Sequence, residues 1–344
     1  MAETTILQNN RLLGVEILRF YMAFMVVATH FGGHLVCPAE SVLYIFEGFH
    51  VAVFMLLSFM LCGKYFLEPT KALVTKRVVR IVFPLVVWGI IGFLVSLCFY
   101  PDLSFETLCW QLCTGHTGVN SPLWFLAVML WISLLFWIIR LICCNKKPFL
   151  IVIVVLAVVC IVLQYTGLNY AMFGGLPYEL KYPLGRLIEM IPYASVGVCF
   201  SMLLPLIKVC GNKKQTIIFV VATLLVGLCV FLHYFYGDTA VPGFGYNGAY
   251  MLVVAFLLTA IACTIPLNFI KNQTFNNIIV WLCSFTMGVF CMHAFVGRVI
   301  EQLFVQLGFE TNTIVICLAI YVVCYIVSLL IYFIPSKYTK MLVR

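Results

Sequence analysis

Long apolar runs are the feature that most constrains what this sequence can fold into. The chain contains ten runs of roughly 17 to 25 residues, the length that an α-helix needs to cross a membrane. They begin near Leu12, Leu43, Val78, Pro122, Phe149, Ile188, Gln215, Gly248, Ile278 and Thr313. Only 9% of the residues are charged, against roughly 25% in soluble domains. We therefore predict an all-α integral membrane protein, a bundle of about ten transmembrane helices in which residues 1–344 form one membrane-embedded domain without a soluble domain.

Basic residues are distributed unevenly between the two sides that these helices would define. If the N-terminus lies in the cytoplasm, sixteen of the 20 Lys and Arg residues fall in cytoplasmic segments. They are Arg11, Lys64, Lys71, Lys76, Arg77, Arg80, Arg140, Lys146, Lys147, Lys208, Lys213, Lys214, Lys271, Lys337, Lys340 and Arg344. Such an excess is typical of cytoplasmic loops, so we expect both termini in the cytoplasm and a multi-pass protein of the inner (plasma) membrane. The net charge of +8 gives no reason to expect a nucleic-acid partner, because it is spread over short loops.

The first apolar run, residues 12–35, carries charged and histidine side chains at helical spacing. Glu16, Arg19 and His30 fall on nearly one face of a helix, with Arg19 and His30 about 16 Å apart along its axis. A charge in a membrane span usually faces the bundle interior or a cavity, so this stripe predicts a polar path across the membrane. Two plainer interpretations stay open: Glu16 simply neutralises Arg19, and His30 packs against a neighbouring helix. His34 has the spacing to share a metal ion with His30, but no third ligand is suitably placed, so we expect no metal.

A second group of charges precedes the third apolar run. Arg77 and Arg80 share one helical face at i, i+3 spacing, and Lys76 lies beside them. Guanidinium groups make bidentate, charge-assisted hydrogen bonds to phosphate, so these residues are candidates for holding a phosphate-bearing ligand at the cytoplasmic face. The alternative is an anchor that touches lipid headgroups.

Other polar residues fall in the outer halves of the predicted helices. They are Glu47, His50, Trp124, Glu189 and His293. Together they could line an outward-opening cavity that binds a substrate, although each could instead stabilise helix packing or the membrane interface. Most of the 16 cysteines lie in apolar runs, where cysteine packs as a small hydrophobic residue. Cys109 and Cys113 could meet across one helical turn, but we do not expect a disulfide between them.

Five segments follow one another along nearly the whole chain: VEILR (15–19) with His30, FHVAVF (49–54) with Ser58, RVVRIVFP (77–84), SPLWFL (121–126) and GVFCMH (288–293). Taken together, they resemble the motifs of the acyltransferase-3 family of integral membrane acyltransferases. Two departures are apparent. Glu16 stands where the family often has Asp, and Phe59 stands where Gly often follows the second-helix serine. The second departure bears on helix packing and on which acceptor fits.

The resemblance implies an enzyme that moves an acyl group, with acetyl the expected one, from cytoplasmic acyl-CoA to a hydroxyl of a cell-envelope carbohydrate or related acceptor. Arg77 and Arg80, with Lys76, would then hold the phosphates of the donor. Arg19, held by Glu16, would line the path of the donor.

In the same interpretation His30 would be the general base, since its ordinary pKa near 6.5 suits neutral pH. Glu16 is about 20 Å from His30 along the helix, so an acid that orients the imidazole would have to come from another helix. Glu47 and Glu189 are the candidates. The rival function is a multi-helix transporter or flippase for a polar or lipid-linked solute.

Overall fold

The structure, a computed structural model, describes residues 12–32, 49–99, 102–115, 121–209, 212–240, 249–265, 273–310 and 314–343. These residues form helices, 3₁₀ turns and short connections, and they contain no β-strand. The predicted all-α architecture is therefore confirmed for this part of the chain.

The helices have the following bounds. In the first half of the chain they are α1 (Leu13–Phe31), α2 (Phe49–Leu61), α3 (Lys64–Leu67), α4 (Lys71–Phe99), α5 (Phe105–Thr114), α6 (Trp124–Cys143) and α7 (Lys146–Tyr165), with a 3₁₀ turn at Ser121–Leu123. In the second half they are α8 (Leu168–Ala171), α9 (Tyr178–Val209), α10 (Asn212–Ala240), α11 (Ala249–Thr264), α12 (Gln273–Leu282), α13 (Thr286–Gln306), α14 (Ile314–Phe333) and α15 (Lys337–Val343), with a 3₁₀ turn at Cys283–Phe285.

Within the described ranges, 8 helical segments are long and apolar enough to cross a membrane, which makes this a multi-pass membrane protein. They are α1, α4, α6, α7, α9, α10, α14 and the combined α12–α13 segment. α2 and α11 are also apolar but shorter, with 13 and 16 residues. Each predicted apolar run thus overlaps a helix, while the number of transmembrane helices and the cytoplasmic position of both termini stay predictions.

Helix α1 lies inside the bundle, where it contacts α2, α11, α13 and α14. Glycines let neighbouring helices approach closely, as is common in membrane bundles. A Cβ atom at Gly197 of α9 would lie 2.5 Å from the carbonyl oxygen of Leu56 on α2. A Cβ atom at Gly297 of α13 would lie 2.2 Å from the Phe31 ring of α1. Substituting either glycine would therefore push apart helices that carry the candidate site.

Helices α7 and α10 lie at the periphery of the bundle. In the most apolar stretch of each helix, only 22% of α7 and 11% of α10 is buried, whereas 67% of the α12–α13 segment is buried. Their exposed side chains are mostly Val, Leu, Ile and Phe. Because the lipid interior can replace apolar contacts but not hydrogen bonds, these two helices are suited to face lipid.

The two ends of the bundle differ in charge. The basic end is defined here as the end where α1 and α4 begin and α2 ends. At this end Lys146 Nζ lies 2.5 Å from Glu68 Oε1, and the Trp137 indole donates a hydrogen bond to the carbonyl of Tyr65. These contacts tie α3 and the residue that follows it to α6 and α7. The positive-inside rule predicts that the basic end faces the cytoplasm.

The 3₁₀ turn at Cys283–Phe285 interrupts the α12–α13 segment beside α1. Tyrosine hydroxyls of α14 hold this region: Tyr325 donates to the carbonyl of Leu282, and Tyr321 donates to the carbonyl of Phe20 at 3.1 Å. The interruption places Thr286 in the first turn of α13, inside the bundle.

Candidate active site

A cavity of about 360 Å³ lies at the basic end of the bundle. Its walls come from α1, α2, α3, α4, α6 and α13 and are largely apolar. The polar residues on the walls are Glu16, Arg19, Ser58, Tyr65, Arg80 and Thr286. A concave, mainly apolar chamber with a few convergent polar groups is typical of a small-molecule site.

Glu16 and Arg19 form an ion pair on the wall of this cavity. Arg19 Nη1 lies 3.2 Å from Glu16 Oε2 and 3.4 Å from Oε1. The Glu16 side chain is 6% exposed and that of Arg19 is 22% exposed. The carboxylate therefore compensates the buried charge in part, while the guanidinium keeps donors directed towards the cavity.

The structure separates the two arginines that the sequence placed together. Arg80 is exposed and lines the cavity. Arg77 is buried, and its guanidinium donates to Ser133 Oγ at 3.1 Å and to Ser58 Oγ at 3.4 Å. Arg77 thus reaches the cavity wall only through Ser58, whereas Arg80 is available to a ligand directly.

Aromatic rings complete the surroundings of Arg77. Its guanidinium carbon lies 4.7 Å from the centre of the Phe59 ring and 5.3 Å from that of Phe66. Cation–π contact of this kind stabilises a desolvated arginine. Phe59, the departure from the family pattern, thereby supports Arg77. Lys76 is exposed and is not among the residues that line the cavity.

Three histidines predicted from separate parts of the sequence lie together on α1, α2 and α13. The ring centres of His30 and His293 are 5.2 Å apart. His50 lies close enough to both rings to interact with them electrostatically. His50 and His293 are buried, and His30 is exposed. We call His30, His50 and His293 the histidine cluster.

A backbone carbonyl fixes the tautomer of His293. Its Nδ1 lies 2.7 Å from the carbonyl oxygen of Phe290. Because a carbonyl can only accept, Nδ1 carries the hydrogen, and Nε2 of the neutral ring is left with its lone pair. Nε2 is buried and has no hydrogen-bond partner among the described residues. An atom of this kind can accept a proton or a hydroxyl hydrogen bond.

The cavity and the histidine cluster lie at different depths along the same helices. None of the three cluster residues lines the cavity. Arg19 and His30 are eleven residues apart on α1, which corresponds to about 16 Å of helix. The arrangement therefore has a chamber with two guanidinium groups at the basic end and the three histidines nearer the opposite end.

Glu189 and Trp124 belong to a third group of residues, centred on Arg186. Arg186 Nη1 lies 2.6 Å from the buried Glu189 Oε2. Its guanidinium carbon is 5.0 Å from the Trp124 ring centre and 4.9 Å from that of Tyr182. Glu189, a candidate for orienting His30, is thus engaged with Arg186.

The other predicted residues are accounted for as follows. Glu47 and His34 lie outside the described residues. Cys109 and Cys113 are free thiols. In the part of the chain that the structure describes, no three His, Cys, Asp or Glu side chains are grouped so that they could hold a metal ion.

A family model described as an acyltransferase domain matches residues 12–333, nearly the whole chain. This protein belongs to the acyltransferase-3 family. No curated protein and no solved structure matches the chain. The resemblance inferred from the five sequence segments is therefore confirmed, and the multi-helix protein is a membrane-embedded acyltransferase.

The structure adds candidate site residues that the sequence did not single out. Thr286 lines the cavity, and its buried Oγ1 has no hydrogen-bond partner among the described residues. Ser133 and Tyr65 were also missed, because isolated hydroxyl residues in apolar helices give no periodic signal. The one available sequence clue was that Thr286 lies seven residues, or about two helical turns, before His293 on what became one helix.

Proposed function

We propose that this acyltransferase moves an acyl group, with acetyl the expected one, from acyl-CoA at the basic end to a hydroxyl of a cell-envelope carbohydrate or related acceptor. The observation that carries this proposal is the pairing of a cavity containing Arg19 and Arg80 with a histidine cluster at another depth of the same bundle. A phosphate-bearing donor with a flexible thioester arm could bind in the cavity and extend its thioester towards the histidine cluster.

The donor would be bound mainly by Arg80 and Arg19. Both guanidinium groups line the cavity, and each can make charge-assisted hydrogen bonds to phosphate oxygens. Arg77 would act indirectly, by holding Ser58 on the cavity wall. Thr286 Oγ1 would donate to or accept from a polar group of the donor, since its hydroxyl is buried on the wall.

His30 would act as the general base. It accepts the proton of the acceptor hydroxyl while the hydroxyl oxygen attacks the thioester carbonyl. The new C–O bond forms, the C–S bond breaks, and the CoA thiolate takes the proton from the imidazolium to leave as free thiol. His293, whose ring is 5.2 Å from that of His30, would help to orient the acceptor or the His30 ring.

The acceptor would enter from the end opposite the basic end. His30 is exposed there, and Trp124 with the Arg186–Glu189 pair supplies an aromatic ring and charged groups of the kind that bind sugars. In this proposal His50 and Glu47 also belong to the acceptor side. The product would be an O-acylated envelope polysaccharide or glycolipid.

Mass spectrometry of envelope glycans from cells with the wild-type protein, with His30→Ala and without the gene tests this function. We expect one acyl mass to be present with wild type and absent in the other two. Thr223→Ala, at an exposed position of the peripheral helix α10, is a control that should keep the acyl mass. An unchanged glycan profile in the absence of the gene would contradict envelope acylation.

Binding of acetyl-CoA to the purified protein tests the donor. We expect binding by wild type and by Lys213→Ala, which removes an exposed basic residue of α10, and much weaker binding by Arg80→Ala. Equal binding by all three proteins would contradict the assignment of Arg80 to the donor site.

A further inference from the structure

Three phenylalanine rings line the cavity on the side nearest the histidine cluster. Phe54, Phe125 and Phe290 all line the cavity. Their ring centres are 6.5 Å apart for Phe54 and Phe125, 6.1 Å for Phe54 and Phe290, and 5.2 Å for Phe125 and Phe290. All three pairs meet edge to face, the arrangement that aromatic rings prefer in packed interiors.

The positions of these rings along the helices place them between the two parts of the candidate site. Phe54 lies four residues after His50 on α2, and Phe290 lies three residues before His293 on α13. Residues at these spacings share a helical face and differ in depth by about one turn. The Phe290 ring centre is also 6.0 Å from that of His293. Phe54 and Phe290 therefore lie about one turn closer to the basic end than the histidines, and the Phe125 ring contacts both.

We propose that Phe54, Phe125 and Phe290 form an aromatic partition that determines which acyl groups the enzyme transfers. This inference rests on the function proposed above. A thioester that extends from the cavity towards His30 must place its acyl group at or through this layer. The rings then limit the size of that group, because side chains in a packed layer have little room to yield.

The partition would also separate the water on the two sides of the membrane, which the transfer reaction needs. A closed aromatic layer keeps the water of one side from the other while the donor is absent. It gives way only where a narrow arm displaces the rings. A short acyl group passes with a smaller displacement than a long one, so the layer favours short chains such as acetyl.

Competition between acyl donors tests the partition. Membranes of the host organism that carry the protein and its own acceptor are supplied with paired labelled acetyl-, butyryl- and hexanoyl-CoA. For wild type we expect the acetyl group to be favoured. For Phe54→Ala and Phe125→Ala we expect the ratio of butyryl to acetyl transfer to rise about tenfold or more, which is the discrimination that a few methylene groups give in a shaped pocket.

Phe136→Ala is the matched control. Phe136 is fully buried and packs on Phe59, Phe66 and Phe149, but it does not line the cavity. Its substitution removes the same atoms from the core, so it should leave the ratio of butyryl to acetyl transfer unchanged. If it raises the ratio as much as Phe54→Ala does, general loosening explains the effect and the partition is wrong.

The failure of this inference differs from failure of the proposed function. Wild-type membranes that transfer no acyl group from any of the three donors would contradict the function. Wild-type membranes that transfer acetyl, together with alanine variants that keep the wild-type ratio, would contradict the partition alone. If an alanine variant does not fold, Phe54→Leu and Phe125→Leu give the same test, with a smaller expected rise in the ratio.

Discussion

The cavity at the basic end and the histidine cluster handle polar groups in opposite ways. In the cavity, Arg19 is paired with Glu16, and Arg80 is exposed, so both guanidinium groups can attract an anion. In the cluster, no described carboxylate forms an ion pair with His30 or His293, and the His293 tautomer is set by a backbone carbonyl. We propose that the first region binds the charged donor and that the second moves the proton. Binding and chemistry are thereby assigned to different depths of one bundle.

The largest expected effect tests whether the histidine cluster carries the chemistry. His30→Ala removes the proposed base, and we expect acyl transfer to fall about 10²- to 10⁴-fold while acetyl-CoA binding stays at the wild-type level. Labelled transfer in membranes and binding to purified protein measure the two quantities. A variant that loses both together would show that His30 supports the fold rather than the reaction.

The second largest expected effect tests whether the cavity binds the donor. Arg80→Ala removes a guanidinium group from the cavity wall, and we expect donor affinity to fall about 10- to 100-fold, as for the loss of hydrogen bonds to a charged group. Transfer at saturating donor should be nearly unchanged. Arg80→Lys should recover only part of the affinity, since it keeps the charge without the bidentate geometry. A fall in the saturated rate with unaltered affinity would contradict this role.

Arg77→Ala sharpens the distinction between the two neighbouring arginines. The side chain is buried against Phe59, Phe66 and two serines, so we expect mainly a loss of stability. Truncation of a buried side chain of comparable length costs about 2–5 kcal/mol. In detergent, Arg77→Ala should have a lower thermal unfolding midpoint than Arg80→Ala. The donor affinity of its folded fraction should change less than that of Arg80→Ala. The reverse pattern would place Arg77, not Arg80, at the donor.

Thr286→Val gives the smallest effect and tests a single hydroxyl. The two side chains have nearly the same shape, so we expect only the loss of one hydrogen bond to the donor, about fivefold in affinity. Thr259→Val is the control, because the Thr259 hydroxyl is buried but bonds the carbonyl of Ala255 on its own helix. Equal changes in donor affinity for both variants would remove Thr286 from the donor site.

The all-helical, multi-pass architecture could be predicted from the sequence because long hydrophobic runs are a local pattern. Every predicted apolar run overlaps a helix, and the Glu16–Arg19 pair forms as its i, i+3 spacing suggests. The boundaries were less accurate. α9 begins at Tyr178, ten residues before the predicted run, because amphipathic turns extend a helix without adding an apolar run.

The site was predictable only in part, since it depends on contacts between helices. Sequence spacing put Arg77 and Arg80 on one helical face, but the packing of α4 against α6 buries one and exposes the other. His50 and His293 were singled out separately, and nothing in their spacing indicated that they meet His30. Phe54, Phe125 and Phe290, the rings of the proposed partition, each lie in a segment that resembles a family motif, but nothing in their spacing indicated that the three rings meet.

Sidedness of the reaction tests the central claim most directly. Sealed membrane vesicles of known and opposite orientations are supplied with labelled acetyl-CoA, which does not cross the bilayer, and the label is then located on one face. The account predicts transfer only when the donor is on the face of the basic end, with the labelled acceptor on the opposite face. Equal transfer from either face, or label that stays on the face of the donor, would contradict it.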